Sequence, residues 1–342
     1  MYARTPLSLP SLLALAALVF STLFAAASPT LEKRASRTSP PSGALVVNPA
    51  GGSGVYKTVS AAVAALPNDS SARSIFIYAG TYNEQVYITR AGMTTIYGYT
   101  TNTADYNSNV VNIQHSLSAA AAGSDDLSGT LRVHKDNFAL YNVNVKNTFG
   151  KGSQAIAVSA YGTNQGYYAV GMYGYQDTLL AESGKQYYGH SFIQGAVDFI
   201  FGQHAFAFFQ ACTIASNGAG SITAHGPASA TDGIYVINQA TLTTASGAGS
   251  LTGQVYLGRP WSQYARVVYT NTNMGAHING AGWSQWSSAT PNTAHVLFAE
   301  YKSSGSGASG TRASFSKKLS STSGYTIQDV LGSHAWVDTA YL

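Results

Sequence analysis

Residues 171–214 read GMYGYQDTLLAESGKQYYGHSFIQGAVDFIFGQHAFAFFQACTI, and the spacing within this stretch decides the fold. Met172, Ile193 and Ile214 recur at intervals of 21 residues, each ahead of a polar or glycine-marked turn. Periods in this range, with one or two short strands per unit, are typical of a β-solenoid, in which each coil buries its apolar side chains against those of its neighbours. The stretch therefore predicts a stack of β-coils.

The rest of the chain supports an all-β fold, because short β-rich runs follow one another without helical periodicity. These runs lie at 74–78, 94–97, 138–145, 167–172, 205–214, 234–242 and 267–271. Leu242 and Met274 extend the 21-residue repeat only if insertions are allowed between coils. The alternative is a β-sandwich whose spacing arose by chance.

One short helix is predicted ahead of the strands. Residues 58–66, TVSAAVAAL, put apolar residues at helical spacing behind a capping threonine and end at Pro67. We expect this helix to cap an apolar end of the solenoid. Three stretches rich in Gly, Ser and Ala are expected to be loops that project from the stack: 116–129, 243–253 and 303–310.

The N-terminus has the plan of a cleaved secretory signal. Arg4 precedes a continuous apolar run at 12–23, and small residues follow at 25–27. A membrane anchor is the alternative, but the apolar run is shorter than the roughly 20 residues that a spanning helix needs. We therefore predict a signal peptide at 1–27 and a secreted, extracellular protein.

The remainder of the chain is expected to form one domain after processing. A dibasic pair at 33–34 precedes a Ser/Pro-rich stretch, which favours a propeptide at 28–34 over a plain polar linker. Residues 35–342 show no second change of composition and are numerous enough to bury a long core. We interpret 35–342 as a single domain.

Composition narrows the classes of partner and of chemistry. The formal net charge is +4, only 9% of the residues are charged and no basic cluster occurs, so nucleic-acid binding has no support. No membrane-surface helix is present either. The single cysteine, Cys212, lies in an apolar run, so the fold cannot depend on disulfides. We expect Cys212 to be a buried hydrophobe, since no basic residue near it in the sequence would lower its pKa as a catalytic thiol requires.

Two acidic residues occupy the same position in the repeat. Asp177 lies five residues after Met172, and Asp198 lies five residues after Ile193. In a parallel stack such positions are about 4.8 Å apart at the backbone. Two carboxylates that close do not both ionise readily, which would leave one as an acid and the other as a nucleophile. The alternative is that both side chains merely cap turns.

Other nucleophiles have less support. The sequence contains no G-x-S-x-G elbow and no H-E-x-x-H metal pair. A serine triad stays open, because its members can lie far apart in a sequence. The eight histidines are scattered and are interpreted as ordinary surface or core residues.

Five motifs, in the same order, resemble the pectin methylesterase family over nearly all of the chain from about 46 to 336. They are GTYNE at 80–84, QAIAV at 154–158, GYQDTL at 174–179, GAVDFIFG at 195–202 and LGRPW at 257–261. The single cysteine and the absence of a long pro-region resemble the fungal branch. The resemblance implies a catalytic domain at 35–342 folded as a single-stranded right-handed parallel β-helix. It also implies hydrolysis of the galacturonate methyl esters of pectin, which yields methanol and pectate.

The resemblance implies a role for each polar residue of these motifs. Asp198 matches the nucleophile that attacks the ester carbonyl and forms an acyl-enzyme anhydride. Asp177 matches the general acid that protonates methanol and then, as a base, activates water. Gln154 and Gln176 match the amides that stabilise the oxyanion. Arg259 matches the guanidinium that keeps the nucleophile ionised and oriented.

The substrate contacts follow from the same resemblance. Trp261 and Phe199 match aromatic residues that line the sugar subsites, and Gln154 and Arg259 are expected to contact the substrate as well. The expected partner is the homogalacturonan of pectin, with no metal, no organic cofactor and a monomeric enzyme. Gln154 and Gln176 are 22 residues apart, one more than the repeat, which predicts a bulge between their coils.

Two local features depart from or add to the family pattern. Residues 224–227 read AHGP where the family would have a Gln-Gly pair, so the substrate contacts near these residues are expected to differ. The sequon Asn68-Asp69-Ser70 follows Pro67 and predicts an exposed turn that is open to glycosylation at Asn68.

Three other functions are compatible with parts of this pattern. Paired acids about 5 Å apart also serve glycosidic chemistry, so a β-helix pectin hydrolase or lyase is one alternative. The oxyanion donors around the acids favour ester chemistry over it. A non-catalytic polysaccharide-binding β-solenoid is the second, although all five reactive positions are intact. The third is the same site acting on another acyl ester.

Overall fold

The computed structural model describes residues 35–342, so the predicted signal peptide at 1–27 and propeptide at 28–34 lie outside the described residues. The described residues belong to one contiguous unit of structure. Within them, no helix has both the length and the apolar character needed to cross a membrane.

Most regular structure in the described residues is β-strand. In chain order the strands are β1 (Leu45–Val47), β2 (Val55–Tyr56), β3 (Arg73–Ile77), β4 (Gly80–Asn83), β5 (Val86–Ile88), β6 (Thr94–Gly98), β7 (Val111–His115), β8 (Leu131–His134), β9 (Phe138–Tyr141), β10 (Asn144–Asn147), β11 (Val158–Tyr161), β12 (Gln165–Tyr168), β13 (Gly171–Tyr173), β14 (Leu179–Gly189), β15 (Phe192–Gly195), β16 (Ile200–Gly202), β17 (His204–Gln210), β18 (Thr213–Ser216), β19 (Gly220–His225), β20 (Ile234–Asn238), β21 (Thr241–Thr244), β22 (Val255–Pro260), β23 (Arg266–Thr270), β24 (Asn273–Met274), β25 (Leu297–Tyr301) and β26 (Ser316–Lys318). The α-helices of this part of the chain are α1 (Val59–Ala64), α2 (Ala119–Ala122) and α3 (Ile327–Leu331).

The strands pair in parallel and form three ladders that run along the stack. Ladder A contains β5, β8, β11, β14, β16, β19 and β22. Ladder B contains β1, β3, β6, β9, β12, β14, β17, β20, β23, β25 and β26. Ladder C contains β4, β7, β10, β13, β15, β18, β21 and β24. This is the predicted right-handed parallel β-helix, with up to three strands per coil where the repeat suggested one or two.

The register of ladder C confirms the repeat that the sequence predicts. Met172 pairs with Ile193 and Ile193 with Ile214, and the row continues through Leu242 to Met274. All five side chains are buried in one core. The longer intervals after Ile214 are accommodated by insertions between coils, as expected for the last two members.

Four of the predicted strand runs, 138–145, 167–172, 205–214 and 234–242, each contain two strands separated by a turn, which corrects the prediction of one continuous run. The chain turns from ladder B into ladder C at single residues with left-handed backbone, with φ of 54°, 49°, 50° and 54° at Asn142, Ala169, Ala211 and Gln239. Side chains before and after each corner point into the same core, so the apolar pattern continues across the turn and hides it.

The predicted cap helix is confirmed as α1. Thr58 is its N-cap, and the Thr58 hydroxyl accepts a hydrogen bond from the Ala61 N–H at 3.2 Å. The carboxylate of Glu84 accepts two further backbone N–H groups of the first turn, each at 2.8 Å. Val59 and Ala62 are buried in the core, so the helix closes the apolar end of the first coils.

Aromatic side chains form part of the core between ladders. Tyr167, Tyr188 and Phe209 stack on successive coils, with ring centroids 4.9 Å and 4.5 Å apart and nearly parallel planes. Cys212 is buried beside them as a free thiol, as the sequence predicts. The parallel register brings like residues together, so that each coil extends the same core.

The predicted exposed turn at Asn68 and the predicted loop at 116–129 both lie at the surface near the first coils. Asn68 is exposed in the turn after α1. The predicted loop at 116–129 contains α2 and a single 3₁₀ turn, and Asp126 fastens it to ladder A. The Ser159 hydroxyl and the Arg132 Nε donate to Asp126 at 2.6 Å and 3.2 Å.

Candidate active site

Asp177 and Asp198 lie in equivalent turns that lead from ladder C into ladder A. Gln176 pairs with Val197 in a parallel bridge, and the Asp177 N–H donates to the Val197 carbonyl oxygen at 3.0 Å. Both aspartates have left-handed backbone, with φ of 62° and 50°. Asp tolerates this conformation better than most residues do. The predicted shared register of the two acids is confirmed.

Arg259, on β22, holds Asp198 in a forked contact. Its Nε donates to Oδ1 at 2.9 Å and its Nη2 donates to Oδ2 at 2.6 Å. Burial raises the pKa of Asp198, and the Arg259 guanidinium opposes that rise. This geometry suits an ionised carboxylate, because charge-assisted forked bonds need both oxygens as acceptors.

Asp177 has a different environment. Its Oδ1 is buried and has no hydrogen-bond partner among the described residues. Burial raises the pKa of Asp177 to about 9, with further contributions from the charges of Asp198 and Asp125, while Arg259 opposes the rise. At neutral pH Asp177 therefore holds a proton, whereas the forked contact with Arg259 favours the ionised form of Asp198.

Gln154 and Gln176 become equivalent on successive coils through a β-bulge. The N–H groups of Ala157 and Val158 both donate to the Thr178 carbonyl oxygen, at 2.8 Å and 3.2 Å. Two residues of one coil thus face one residue of the next, which absorbs the extra residue in the 22-residue interval. The predicted bulge is confirmed. Within residues 35–342 neither side-chain amide nitrogen makes a hydrogen bond, so both remain available as donors.

Trp261 follows β22 and is 37% exposed. Its ring lies over Gly226, where an added Cβ would come within 2.8 Å of the Trp261 Cε3 atom. The ring centroid is 6.3 Å from that of Phe201. Residues 227–228, 261–264 and 291–294 line an open groove of about 640 Å³ next to this ring. Trp261 therefore offers an accessible aromatic surface.

Phe199 does not line the cleft, which corrects the prediction for this residue. Its side chain is fully buried in the main core. The left-handed turn at Asp198 sends the next side chain inward, so proximity to the acid in sequence does not bring Phe199 to the surface. Phe201 is also buried, but it packs outside the main core with Leu180 and Ala224, next to the exposed ring of Trp261. The pairing of Phe201 with these two residues along ladder A is the signal that could have identified it.

Trp286 was not predicted as a site residue. Its ring lies under the guanidinium of Arg259, with the Cζ atom 4.2 Å from the ring centroid. Trp286 also packs against the cluster that contains Phe201. It belongs to no strand of the stack, so counting along the repeat gives no signal for it.

The departure at 224–227 shapes the turn that carries Trp261. The carbonyl oxygen of His225 accepts from the Trp261 N–H at 3.1 Å, and its Nδ1 accepts from the Arg266 N–H at 2.9 Å. Burial lowers the pKa of His225 to about 3, so the ring is neutral and Nδ1 can accept. The buried His225 therefore holds this turn in place through these two hydrogen bonds.

The free thiol of Cys212 is buried in the core. Burial raises the pKa of the Cys212 thiol to about 12, which keeps it protonated and unreactive. In the part of the chain that the structure describes, no group of three or more His, Cys, Asp or Glu side chains is arranged to hold a metal ion.

Sequence comparison relates the chain to one family. A family model described as Pectinesterase matches residues 45–328. Pectinesterases from Aspergillus niger and Aspergillus aculeatus are 50% and 49% identical to this chain over 317 residues, which cover 90% of this chain and 95% of each relative.

Structural comparison agrees with the sequence. A pectin methylesterase from Aspergillus niger, solved in deglycosylated form, has a TM-score of 0.84 at 42% identity and covers 90% of this chain and 100% of its own. The carrot enzyme has a TM-score of 0.76 at 30% identity, covering 86% and 94%. A pectin methylesterase in complex with a hexasaccharide has a TM-score of 0.70 at 26% identity, covering 86% and 98%.

Proposed function

Since the chain belongs to the pectinesterase family and hydrolyses the methyl esters of pectin, we propose that Asp198 is its nucleophile and Asp177 its general acid and base. One observation carries this assignment: two carboxyls on equivalent backbone positions differ in their hydrogen-bond partners. Arg259 forks onto Asp198, while Asp177 has a buried oxygen without a partner. The ionised member can attack, and the protonated member can donate.

In the first step, an oxygen of Asp198 attacks the ester carbonyl carbon and the carbonyl oxygen becomes negative. The side-chain amides of Gln154 and Gln176 donate to this oxyanion, a role that preorganised amide donors can fill. The C–O bond to methanol then breaks, and Asp177 transfers its proton to the departing oxygen. The product of this step is an anhydride between Asp198 and the galacturonate carbonyl, with Asp177 now ionised.

In the second step, Asp177 takes a proton from a water molecule, whose oxygen attacks the galacturonate carbonyl of the anhydride. The bond to Asp198 breaks, which returns the nucleophile as a carboxylate held by Arg259. The sugar leaves as a free carboxylic acid, and Asp177 is protonated again. A carboxyl with a raised pKa suits both halves, since it accepts the proton of water more readily than an ordinary Asp does.

The polymer is proposed to lie against the exposed ring of Trp261, which packs beside the buried Phe201, with Gln154 and Arg259 nearer the reacting unit. A relative solved in complex with a hexasaccharide supports a cleft that holds several sugar units. We assign homogalacturonan as the substrate region of pectin and a monomer as the active form. Size-exclusion chromatography with light scattering tests the monomer, and a dimer mass would contradict it.

The deciding experiment follows methanol release and polymer length together, with highly methylated homogalacturonan as substrate. We expect methanol without shortening of the chains. Shortened or unsaturated oligomers without methanol would point to a hydrolase or lyase. An Asp198→Asn variant, checked for folding by thermal melting, should lose turnover by several orders of magnitude. Near wild-type turnover in that variant would remove Asp198 from its role.

Secretion and glycosylation are separate proposals. We propose that residues 1–27 direct secretion, that cleavage after 34 gives the mature start, and that Asn68 carries a glycan. The exposed position of Asn68 is compatible with this, and a pectin methylesterase from Aspergillus niger was solved in deglycosylated form. N-terminal sequencing of secreted protein, and endoglycosidase treatment of wild type beside an Asn68→Gln variant, test these points. An N-terminus at residue 28 would remove the propeptide, and an equal mobility shift in both proteins would remove Asn68.

A further inference from the structure

A row of side chains runs along the outer face of ladder A and ends at Arg259. Leu180 pairs with Phe201, Phe201 with Ala224, and Ala224 with Arg259. The first three form a small apolar cluster outside the main core, against which Trp286 packs. This row is therefore the floor of the surface beside the two aspartates.

A second row lies two residues further along. The register of ladder A continues to this row beyond the strand ends, because the Gly226 N–H donates to the Gly202 carbonyl oxygen at 3.0 Å and the Trp261 N–H donates to the His225 carbonyl oxygen at 3.1 Å. Two residues after Arg259, it contains Trp261. Two residues after Leu180, it contains Glu182, which follows the inward-facing and fully buried Ala181. Glu182 therefore lies on the row of the Trp261 aromatic surface, five residues after Asp177 on the same coil.

The carboxyl of Glu182 is half-buried and has one hydrogen bond to the backbone, from the Gln203 N–H to Oε2 at 3.2 Å. No cationic side chain within the described residues forms an ion pair with it. His204 lies near it, but its Nδ1 contacts Asp232 at 2.8 Å. Glu182 therefore has no ion-pair partner among the described residues and lies next to the floor of the cleft.

The remaining titratable groups that face Glu182 are neutral phenols. Tyr161 on β11 and Tyr235 on β20 both have pKa values raised by burial, and Glu182 raises them further. Burial raises the pKa of Glu182 itself to about 7, with Asp232 adding to the rise and His204 opposing it. The group thus changes charge within the pH range in which the enzyme can be assayed.

We propose that Glu182 is a specificity-determining residue that distinguishes a methyl-esterified from a free galacturonate in a sugar subsite beside the reacting ester. Ionised Glu182 repels the carboxylate of a free galacturonate, and the low-dielectric floor strengthens this repulsion. A methyl ester carries no charge and is accepted. Protonated Glu182 accepts both units and can donate a hydrogen bond to a carboxylate. This proposal rests on the proposed esterase function and concerns its substrate class.

The sign of the pH effect follows from the raised pKa. Below about pH 7 Glu182 is mostly protonated, so discrimination against sparsely methylated polymer is weak. Above that pH it is ionised, so discrimination increases. The ratio of kcat/KM for two polymers at one pH cancels the titration of Asp177 and Asp198, since both polymers use the same chemical step.

The test compares wild type with Glu182→Gln on highly and on sparsely methylated homogalacturonan, at pH 5 and pH 8. Glutamine keeps an acceptor for the Gln203 N–H and loses only the charge. For wild type we expect the ratio of kcat/KM, high over sparse methylation, to rise about three- to tenfold from pH 5 to pH 8. For Glu182→Gln we expect the same ratio at pH 5 and at pH 8. The change of the ratio with pH in wild type should come from KM and not from kcat. His204 is present in both proteins, so its contribution is common to both.

An Asp105→Asn variant is the matched control, because it removes one negative charge at the start of a 3₁₀ turn and keeps a capping side chain. It should follow wild type at both pH values. If the ratio of kcat/KM rises from pH 5 to pH 8 in Glu182→Gln as much as it does in wild type and in the control, the proposal is overturned. These results leave methanol release by wild type intact, whereas failure of the esterase assignment would remove methanol release from all three proteins.

Discussion

The Asp177 N–H donates to the carbonyl oxygen of Val197, so Asp177 precedes Asp198 by one coil and occupies the same position in the turn. The two backbones share a left-handed conformation, and both side chains are buried. What differs is one cation, because Arg259 reaches Asp198 with both ends of its fork. The solenoid therefore supplies two equal carboxyls, and a side chain from a later coil makes them unequal.

The pH profile of wild type should show the proton on Asp177. In the proposed mechanism the free enzyme needs this proton for the departing methanol, and burial raises the pKa of Asp177 to about 9. We expect kcat/KM to be level above neutral pH and to fall about tenfold per unit beyond pH 9. Initial rates of methanol release, corrected for the enzyme-free saponification of pectin, measure this. A fall that begins near pH 6 would contradict the assignment.

The same burial should make folding stability depend on pH. The pKa of Asp177 is raised from 3.8 when unfolded to about 9 when folded, so its favourable contribution is complete below pH 4 and is lost as pH rises toward 9. Asp177→Asn carries no such titration. We expect the Tm of this variant, relative to wild type, to increase by several degrees from pH 4 to pH 8. Asp105→Asn is the control. A Tm difference between Asp177→Asn and wild type that stays constant with pH would refute this reasoning.

Arg259→Lys should separate charge from geometry. Lysine keeps the positive charge but cannot form both bonds to Asp198 or stack on Trp286 in the same way. We expect kcat/KM to fall about 100-fold and its acid limb to move to higher pH, because the pKa of Asp198 is held down less well.

Arg312→Lys is the matched control for that change. Arg312 forms a similar fork on Glu300, with Nε to Oε1 at 2.8 Å and Nη2 to Oε2 at 3.0 Å, in a structural ion pair. It should lower the Tm and leave the shape of the pH profile as in wild type. An acid limb that does not move in Arg259→Lys would show that the fork does not set the charge of the nucleophile.

Residues whose positions follow from counting along the coil could be predicted from the sequence. Asp177 and Asp198 are five residues after paired core positions, and the register of ladder C determines where such residues lie. The bulge before Val158 was also predictable, since an interval of 22 in a repeat of 21 leaves one residue over. Counting works here because each coil binds only to its neighbours.

Residues whose side-chain directions depend on a turn, or which lie outside the repeat, could not be predicted in this way. Phe199 follows a left-handed residue and points into the main core, whereas Phe201 packs in a separate buried cluster outside that core. Trp286 reaches Arg259 from a segment without strands. The bends at Ala169 and Ala211 also left no mark in the apolar pattern. In each case the side chain's direction is set by contacts between coils, and local sequence does not contain them.

Gly226→Ala should show whether the position of Trp261 matters for binding the polymer. The new Cβ would lie 2.8 Å from Cε3 and 2.9 Å from Cδ2 of the Trp261 ring, so the ring must move. We expect KM for methylated homogalacturonan to rise about three- to tenfold with kcat within about twofold, because the ring is proposed to contact sugar and not the reacting ester. Gly280→Ala is the matched control, since its Cβ would meet only Gly310 Cα at 3.8 Å. An unchanged KM in Gly226→Ala, with a shifted tryptophan fluorescence spectrum that reports movement of the ring, would remove Trp261 from the binding surface.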